Sequence, residues 1–84
     1  MRGSHVIESV VHAVFTDVLD LQPPVDWSAI RYQEAEGWDS VAHMTIVAEL
    51  EDQLGIMLDT DEIIDMSSVE KVIEILSGHA AEIE

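Results

Sequence analysis

Apolar residues recur at intervals of three and four positions between Val6 and Leu21. This spacing is typical of an amphipathic α-helix, because it places the apolar side chains on one face. Residues 1–5 precede the pattern, and we interpret them as a candidate disordered or vector-derived leader, with a native terminus as the alternative. The predicted buried stripe of this first helix is Ile7, Val10, Val11, Val14, Phe15, Val18 and Leu19.

The helical pattern stops between Gln22 and Trp38, where Pro23-Pro24 and Gly37 interrupt it. Proline and glycine break regular structure, so we predict a long ordered loop. A loop of this length is uncommon in a small domain and is usually functional. The residues expected to attach it to the rest of the fold by packing are Trp27, Ile30 and Tyr32.

A second helix is predicted to begin at Asp39 or Ser40 and to continue to Leu54, with Gly55 as its C-cap. After it, Asp59 or Thr60 can cap a short helix, and Glu62 can complete a capping box. The predicted apolar stripe of the second helix is Ile46, Val47, Leu50 and Leu54.

The last predicted helix follows Ser67-Ser68-Val69-Glu70, which has the pattern of a second capping box. Its apolar stripe is Val69, Val72, Ile73 and Leu76. The predicted fold is therefore all-α, a four-helix bundle with a long loop between helices 1 and 2 and a short third helix. A length of 84 residues fits a single domain over residues 1–84.

The chain is strongly acidic, with 18 Asp and Glu residues against three Lys and Arg and a formal net charge of -15. Nucleic acids and anionic membrane surfaces are excluded as partners, because both are bound through basic residues. Basic surfaces on other proteins are the expected partners. The alternative is that the charge only maintains solubility.

The chain contains no cysteine and no apolar run of the roughly 20 residues that a transmembrane helix needs. Small secreted domains usually carry disulfides, so we predict a cytoplasmic protein, and we expect it to be monomeric. Its four histidines lack metal-ligand spacing, and the acidic residues Asp59 to Glu62 lack the pattern of a calcium loop. No metal site and no catalytic activity of the chain itself are predicted. The histidines are expected to pack at surface or edge positions, and His43 is the one expected to contact a partner.

Asp39 and Ser40 lie where the loop is predicted to become the second helix. A serine there is exposed near free backbone N–H groups, and the helix N-terminus favours an attached phosphate by roughly 0.3 to 1 kcal/mol. Asp39 can cap the helix, and in a complex with a modifying enzyme it can help to hold a metal ion or orient the serine hydroxyl. Taken alone, this pair is also an ordinary N-cap.

The wider context resembles the acyl carrier protein family. The resemblance is carried by Gly37 to Val41, Glu49 to Ile56, Asp59 to Glu62 and Ser67 to Val69, and it runs without a gap from about Gly37 to Leu76. It implies that Ser40, next to Asp39, receives 4'-phosphopantetheine from coenzyme A, and that the terminal thiol carries the cargo. It also implies that the short helix flanks a pocket for an acyl chain.

The resemblance further implies that the second helix is the docking surface for partner enzymes. The expected partners are a phosphopantetheinyl transferase, an acyltransferase, a ketosynthase or an adenylating ligase with basic docking patches. Val41 and Met44 could instead complete the core, and the acidic residues could form a solvated face only. The implied docking residues are Val41, Met44, Ala48, Glu49, Glu51 and Asp52.

The helix also departs from the family pattern. Val41 replaces the usual leucine, and Ala42, His43 and Thr45 stand where carriers of fatty acid synthesis tend to be polar or acidic. Since charge complementarity selects partners, we predict a carrier of polyketide or mixed polyketide-peptide biosynthesis. The alternatives are an aminoacyl carrier of the D-alanyl type, a fatty acid synthesis carrier and a non-covalent acidic adaptor.

Overall fold

The computed structural model describes residues 2–83, with side chains described from Val6 onward. It confirms the predicted all-α fold. None of the helices in this range combines the length and apolar character needed to cross a membrane. The elements are α1 (Arg2–Leu19), a 3₁₀ turn (Trp27–Ala29), α2 (Ser40–Leu54), α3 (Thr60–Asp65), α4 (Val69–Ser77) and a second 3₁₀ turn (Ala80–Glu82).

Helix α1 begins at Arg2, four positions before the start of the predicted helical pattern at Val6. The backbone of residues 2–5 continues the helix, and the leader interpretation of residues 1–5 stays a prediction. The apolar pattern indicates which turns of a helix are buried and carries no information about turns that extend beyond the core. Met1 lies outside the described residues, and a vector origin of this segment stays a prediction.

The core lies where α1 packs against α2 and α4. Phe15 from α1, Ile46 and Leu50 from α2, and Leu76 from α4 are fully buried. Each such side chain stabilises the fold by about 1.5 to 3 kcal/mol relative to an exposed one. The remaining buried apolar residues of the helices and their connections are Ile7, Val11, Val14, Leu19, Trp38, Val47, Leu54, Ile56, Leu58, Met66, Val69, Val72 and Ile83.

The long loop is attached to the start of α4 by backbone hydrogen bonds. The Tyr32 N–H donates to the Ser67 carbonyl at 2.9 Å, and the Val69 N–H donates to the Ile30 carbonyl at 3.0 Å. Side chains of Trp27, Ile30 and Tyr32 pack against the core, as predicted. The loop is therefore ordered by contacts at both its backbone and its side chains.

Two of the predicted helix ends agree with the structure. Gly55 ends α2 in the left-handed conformation with φ 67°, which glycine adopts at little cost. Asp59 caps α3, and its side chain and that of Glu62 form the predicted capping box.

The capping box predicted at Ser67 to Glu70 is wrong. The N-cap of α4 is Ser68, whose hydroxyl accepts the Lys71 N–H at 3.0 Å. The third helical position is consequently Lys71, which cannot accept a hydrogen bond from the cap, while Glu70 lies one position too early. The long loop pairs with the residues just before α4, where Arg31 and Ser68 form an isolated antiparallel bridge. The start of α4 at Val69 follows this pairing.

Candidate functional site

Ser40 is the first residue of α2 and is exposed to solvent. Asp39 caps the helix, since its Oδ1 accepts the Ala42 N–H at 2.9 Å and its carbonyl accepts the His43 N–H at 2.8 Å. Both predicted attachment residues thus lie together at the junction of loop and helix. The serine oxygen stands at the positive end of a helix of 15 residues, where an attached phosphate is electrostatically favoured.

Trp38 fixes this junction to the core. Its side chain is 1% exposed, and its ring meets Phe15 of α1 edge to face at a centroid distance of 4.8 Å. The Trp38 backbone N–H donates to the Ala35 carbonyl at 3.1 Å, and the Trp38 carbonyl accepts the Gln33 backbone N–H at 3.0 Å. Burial of an aromatic ring directly before Asp39 therefore determines where α2 begins.

His43 connects the junction to α3. Its Nδ1 accepts the Trp38 indole N–H at 3.0 Å, and its Nε2 lies 2.8 Å from the Ile63 carbonyl oxygen. The indole nitrogen can only donate and the carbonyl can only accept, so the imidazole carries its hydrogen on Nε2. The ring is 9% exposed, which corrects the expectation that His43 faces a partner: a neutral ring with both nitrogens bonded packs inside.

A cleft of about 350 Å³ opens beside Ser40 between α2 and α3. The hydroxyl of Tyr32 lies at its edge, 3.3 Å from the Ser40 Oγ. The predicted pocket next to the short helix is therefore present in the fold. Its lining residues are Tyr32, Ser40, His43, Met44, Ile63 and Ile64.

The outer face of α2 carries exposed apolar side chains next to the serine. Val41 is 77% exposed and Met44 is 55% exposed, so neither completes the core. Together with Ser40, Thr45, Ala48 and Glu49 they line a shallow groove. Asp52, one turn further along, is also exposed.

Glu51 differs from the other predicted docking residues. It is half-buried, and its Oε2 accepts the Leu58 N–H at 2.9 Å. Its carboxylate therefore orders the connection between α2 and α3. A docking role for Glu51, as for the rest of the set, stays a prediction.

Helix α3 is joined to the C-terminal end of α4 through His79. Its Nε2 and Nδ1 lie 2.8 Å from carboxylate oxygens of Glu62 and Glu82, respectively. The hydrogen bond to Glu62, followed by that to Glu82, raises the pKa of His79. The hydrogen bond between His79 and Glu62 is also the main cause that lowers the pKa of Glu62, and the hydrogen bond from the Asp59 N–H is the second cause. The His79 imidazolium, with its two carboxylate partners, thus attaches α3, which borders the cleft, to the C-terminal end of α4.

Comparison with known families identifies the family of the chain. The family model for the phosphopantetheine attachment site matches residues 9–76. The chain belongs to this family. Comparison with curated proteins and with solved structures gave no significant match.

As a phosphopantetheine attachment domain, the chain is a carrier protein whose cofactor is covalently bound 4'-phosphopantetheine. The site fits this group, since an exposed hydroxyl at a helix N-terminus adjoins a cleft with a second hydroxyl at its edge. Carriers of this kind hold substrates for partner enzymes. Among the described residues no three His, Cys, Asp or Glu side chains gather to hold a metal ion.

Sequence reasoning missed the roles of Trp38, His43 and Tyr32 within the site. It assigned Tyr32 to loop packing and His43 to the surface. A signal was available for one pair only: an aromatic residue directly before the helix cap and a histidine five positions later are close enough in sequence for a side-chain hydrogen bond. The partner of Ser40 comes from the loop, and no local pattern indicates it.

Proposed function

We propose that Ser40 is the residue that carries the 4'-phosphopantetheine arm and that the chain presents acyl groups on this arm to partner enzymes without catalysing their reactions. The observation that carries the proposal is the exposed Ser40 hydroxyl at the start of α2, beside the cleft and inside the region that matches the family. On this proposal residues 1–84 form one carrier domain.

The other serines of the matched region are less suited to the modification. Ser68 is 8% exposed and its hydroxyl caps α4. The Ser28 hydroxyl donates to Asp26 at 2.6 Å. Ser9 lies within α1, away from any helix N-terminus. Ser67 is exposed but precedes the cap of α4, so it is not the first residue of a helix. Support for Ser40 thus comes from exposure and electrostatics together.

When attached, the arm supplies a terminal thiol that holds an acyl group as a thioester. The chain's own contribution is to hold the attachment point rigidly and to keep it accessible. Asp39 fixes the first turn of α2 through the Ala42 N–H, and buried Trp38 prevents the junction from shifting. A long flexible arm on a fixed origin raises the effective concentration of the cargo at a partner's active site.

The test is modification of purified protein with coenzyme A and a promiscuous phosphopantetheinyl transferase, followed by peptide mass spectrometry. The wild type and Ser9→Ala, an exposed-serine control on α1, are expected to gain one arm on the peptide that contains Ser40. Ser40→Ala is expected to fold normally, to gain no mass and to lose all cargo loading. An arm on another residue, or an unmodified wild type, would contradict the assignment, and full function of unmodified Ser40→Ala would favour a non-covalent acidic adaptor.

For the cargo we propose an acyl intermediate of polyketide or mixed polyketide-peptide biosynthesis in the cytoplasm. The first turn of α2 contains no acidic residue, and Val41 and Met44 are exposed there, so this end of the proposed docking face is apolar. Partners that dock there need an apolar contact beside a basic patch. The zero cysteine count supports the cellular location.

Loading assays with the modified protein separate the candidate cargoes. We expect faster loading by malonyl-type acyltransferases of polyketide systems than by D-alanyl-type adenylating ligases or by fatty acid synthesis enzymes. Preferred loading by an adenylating ligase would identify an aminoacyl carrier. The Ser40→Ala variant is the control for loading that does not depend on the arm.

A further inference from the structure

The phenol of Tyr32 is the side-chain hydrogen-bond partner of the proposed attachment oxygen. Its hydroxyl lies 3.3 Å from the Ser40 Oγ, and either oxygen can donate in the unmodified protein. The two residues are eight positions apart and belong to different segments, the loop and α2. Their contact is therefore a product of the fold.

The Tyr32 ring is held on several sides. It meets the Trp38 ring edge to face at 5.8 Å and the His43 ring at 4.9 Å between centroids. Its backbone N–H donates to the Ser67 carbonyl, which joins it to the start of α4. Trp38 and His43 are themselves buried and hydrogen-bonded to each other, so the hydroxyl is fixed relative to the serine before any ligand arrives.

A phosphodiester at Ser40 would add negative charge to a chain whose formal net charge is already -15. Lys71 pairs with Asp65 and Glu74. A neutral hydrogen-bond donor next to Ser40 can stabilise the phosphate without a nearby cation. A phenol O–H beside the ester oxygen is such a donor, and a hydrogen bond to an anion is stronger than one between neutral groups.

We propose that Tyr32 is a positioning residue that orients the Ser40 hydroxyl for modification and then donates its hydrogen bond to the phosphodiester. This rests on the proposed function of Ser40. In the modification the serine oxygen forms a bond to the phosphorus next to pantetheine in coenzyme A. The pyrophosphate P–O bond breaks, the adenosine bisphosphate half leaves with the electron pair, and the serine proton passes to a base of the transferase. The ester oxygen then has no hydrogen, so the phenol must be the donor.

The first measurement is the rate of modification of Tyr32→Phe, which removes the hydroxyl and keeps the ring. The kcat is expected to fall about two- to tenfold, the range for one neutral hydrogen bond, while KM stays unchanged because the docking face is intact. Ser28→Ala loses a side-chain hydrogen bond outside the site and is expected to match the wild type in both constants. An unchanged kcat for Tyr32→Phe, or a rise in KM alone, would overturn the orienting role.

The second measurement uses the single tyrosine of the chain. A ¹³C label at Cζ gives one resonance in the wild type, which is expected to shift when the arm is attached. The ³¹P resonance of the modified protein is expected to differ between the wild type and Tyr32→Phe. If both resonances stay unchanged in a protein whose mass confirms the arm on Ser40, the donor role fails and the proposed function stands. If no arm is found on Ser40, the proposed function itself fails. The Cζ measurement on the wild type can be made even if Tyr32→Phe is unstable.

Discussion

The His43 imidazole links two segments that surround the proposed attachment point. It accepts from the Trp38 indole at the loop end and donates to the Ile63 carbonyl in α3. Among the described residues, every buried side-chain nitrogen and oxygen has a hydrogen-bond partner. A buried polar bridge of this kind specifies one arrangement, because a polar group without its partner loses its solvation and gains nothing in exchange.

Replacement of His43 by leucine leaves the Trp38 indole N–H without a partner, and the Ile63 carbonyl keeps only the bond from the Met66 N–H at 3.4 Å. We expect a loss of about 1 to 3 kcal/mol in the free energy of unfolding, the cost of one unpaired buried group. The check is urea denaturation of His43→Leu, Trp38→Phe and the double variant.

The double variant is expected to be more stable than the sum of the two single losses predicts, by about 1 kcal/mol, because the indole donor and its acceptor are removed together. Strictly additive losses would show that the hydrogen bond contributes nothing beyond packing. The modification rate of each folded variant then reports whether the bridge also holds Ser40.

At the level of the elements, α3 depends on its connections to the rest of the fold. It has six residues, too few to be stable as an isolated helix. The capping box satisfies its first N–H groups, His43 bonds the Ile63 carbonyl, and His79 bonds Glu62. Lys71 adds an exposed ion pair with Asp65 at 3.5 Å, a type of contact that contributes little.

The connection through His79 is expected to depend on pH. The raised pKa of His79 means that its contribution is fully present below the ordinary value of 6.5 and is lost as the pH rises through the higher folded-state pKa. The lowered pKa of Glu62 means that its contribution is fully present above 4.5 and is lost as the pH falls through the lower folded-state pKa. The connection is therefore strongest between these two values.

Urea denaturation of the wild type and His79→Gln over a pH series checks this expectation. The difference in unfolding free energy is expected to be largest between pH 4.5 and 6.5 and to shrink as the pH rises further. In a Glu62→Gln background the same substitution should have a weaker pH dependence. A difference that is constant over the whole series would contradict a charged connection.

Across the whole molecule, acidic residues outnumber basic ones six to one (18 against three). The net charge therefore accelerates the approach of a basic partner, but net charge by itself does not fix the orientation of that partner. Orientation requires a local feature. The groove formed by Ser40, Val41, Met44, Thr45, Ala48 and Glu49 supplies one, because it joins exposed apolar side chains to an acidic end.

Reversal of one charge in this groove, at Glu49, or one turn beyond it, at Asp52, is expected to matter more than the same reversal elsewhere. Glu49→Lys or Asp52→Lys should slow transfer to the modified protein's partner enzymes by about three- to tenfold at low salt, with helicity nearly unchanged. Glu8→Lys, an exposed position on α1, carries the same change in net charge and should have a smaller effect.

Transfer rates measured at increasing salt concentration complete this test. The difference between Glu49→Lys and Glu8→Lys should diminish as salt screens the charges. Equal rates for the wild type and all three variants at low salt would mean that the acidic residues of α2 are only a solvated face.

The sequence alone determined the helices and their order and predicts the attachment at Ser40, because apolar spacing, caps and the serine motif act over a few neighbouring positions. It failed where a boundary or a partner depends on distant segments: the N-cap of α4 is Ser68 and not Ser67, and His43 is buried. Only the tertiary structure decided which groups meet, as in the bond between His43 and Ile63, 20 positions apart, and the contact of Tyr32 with Ser40. Such pairs form only when helices pack, since the position of one side chain then depends on the burial of many others.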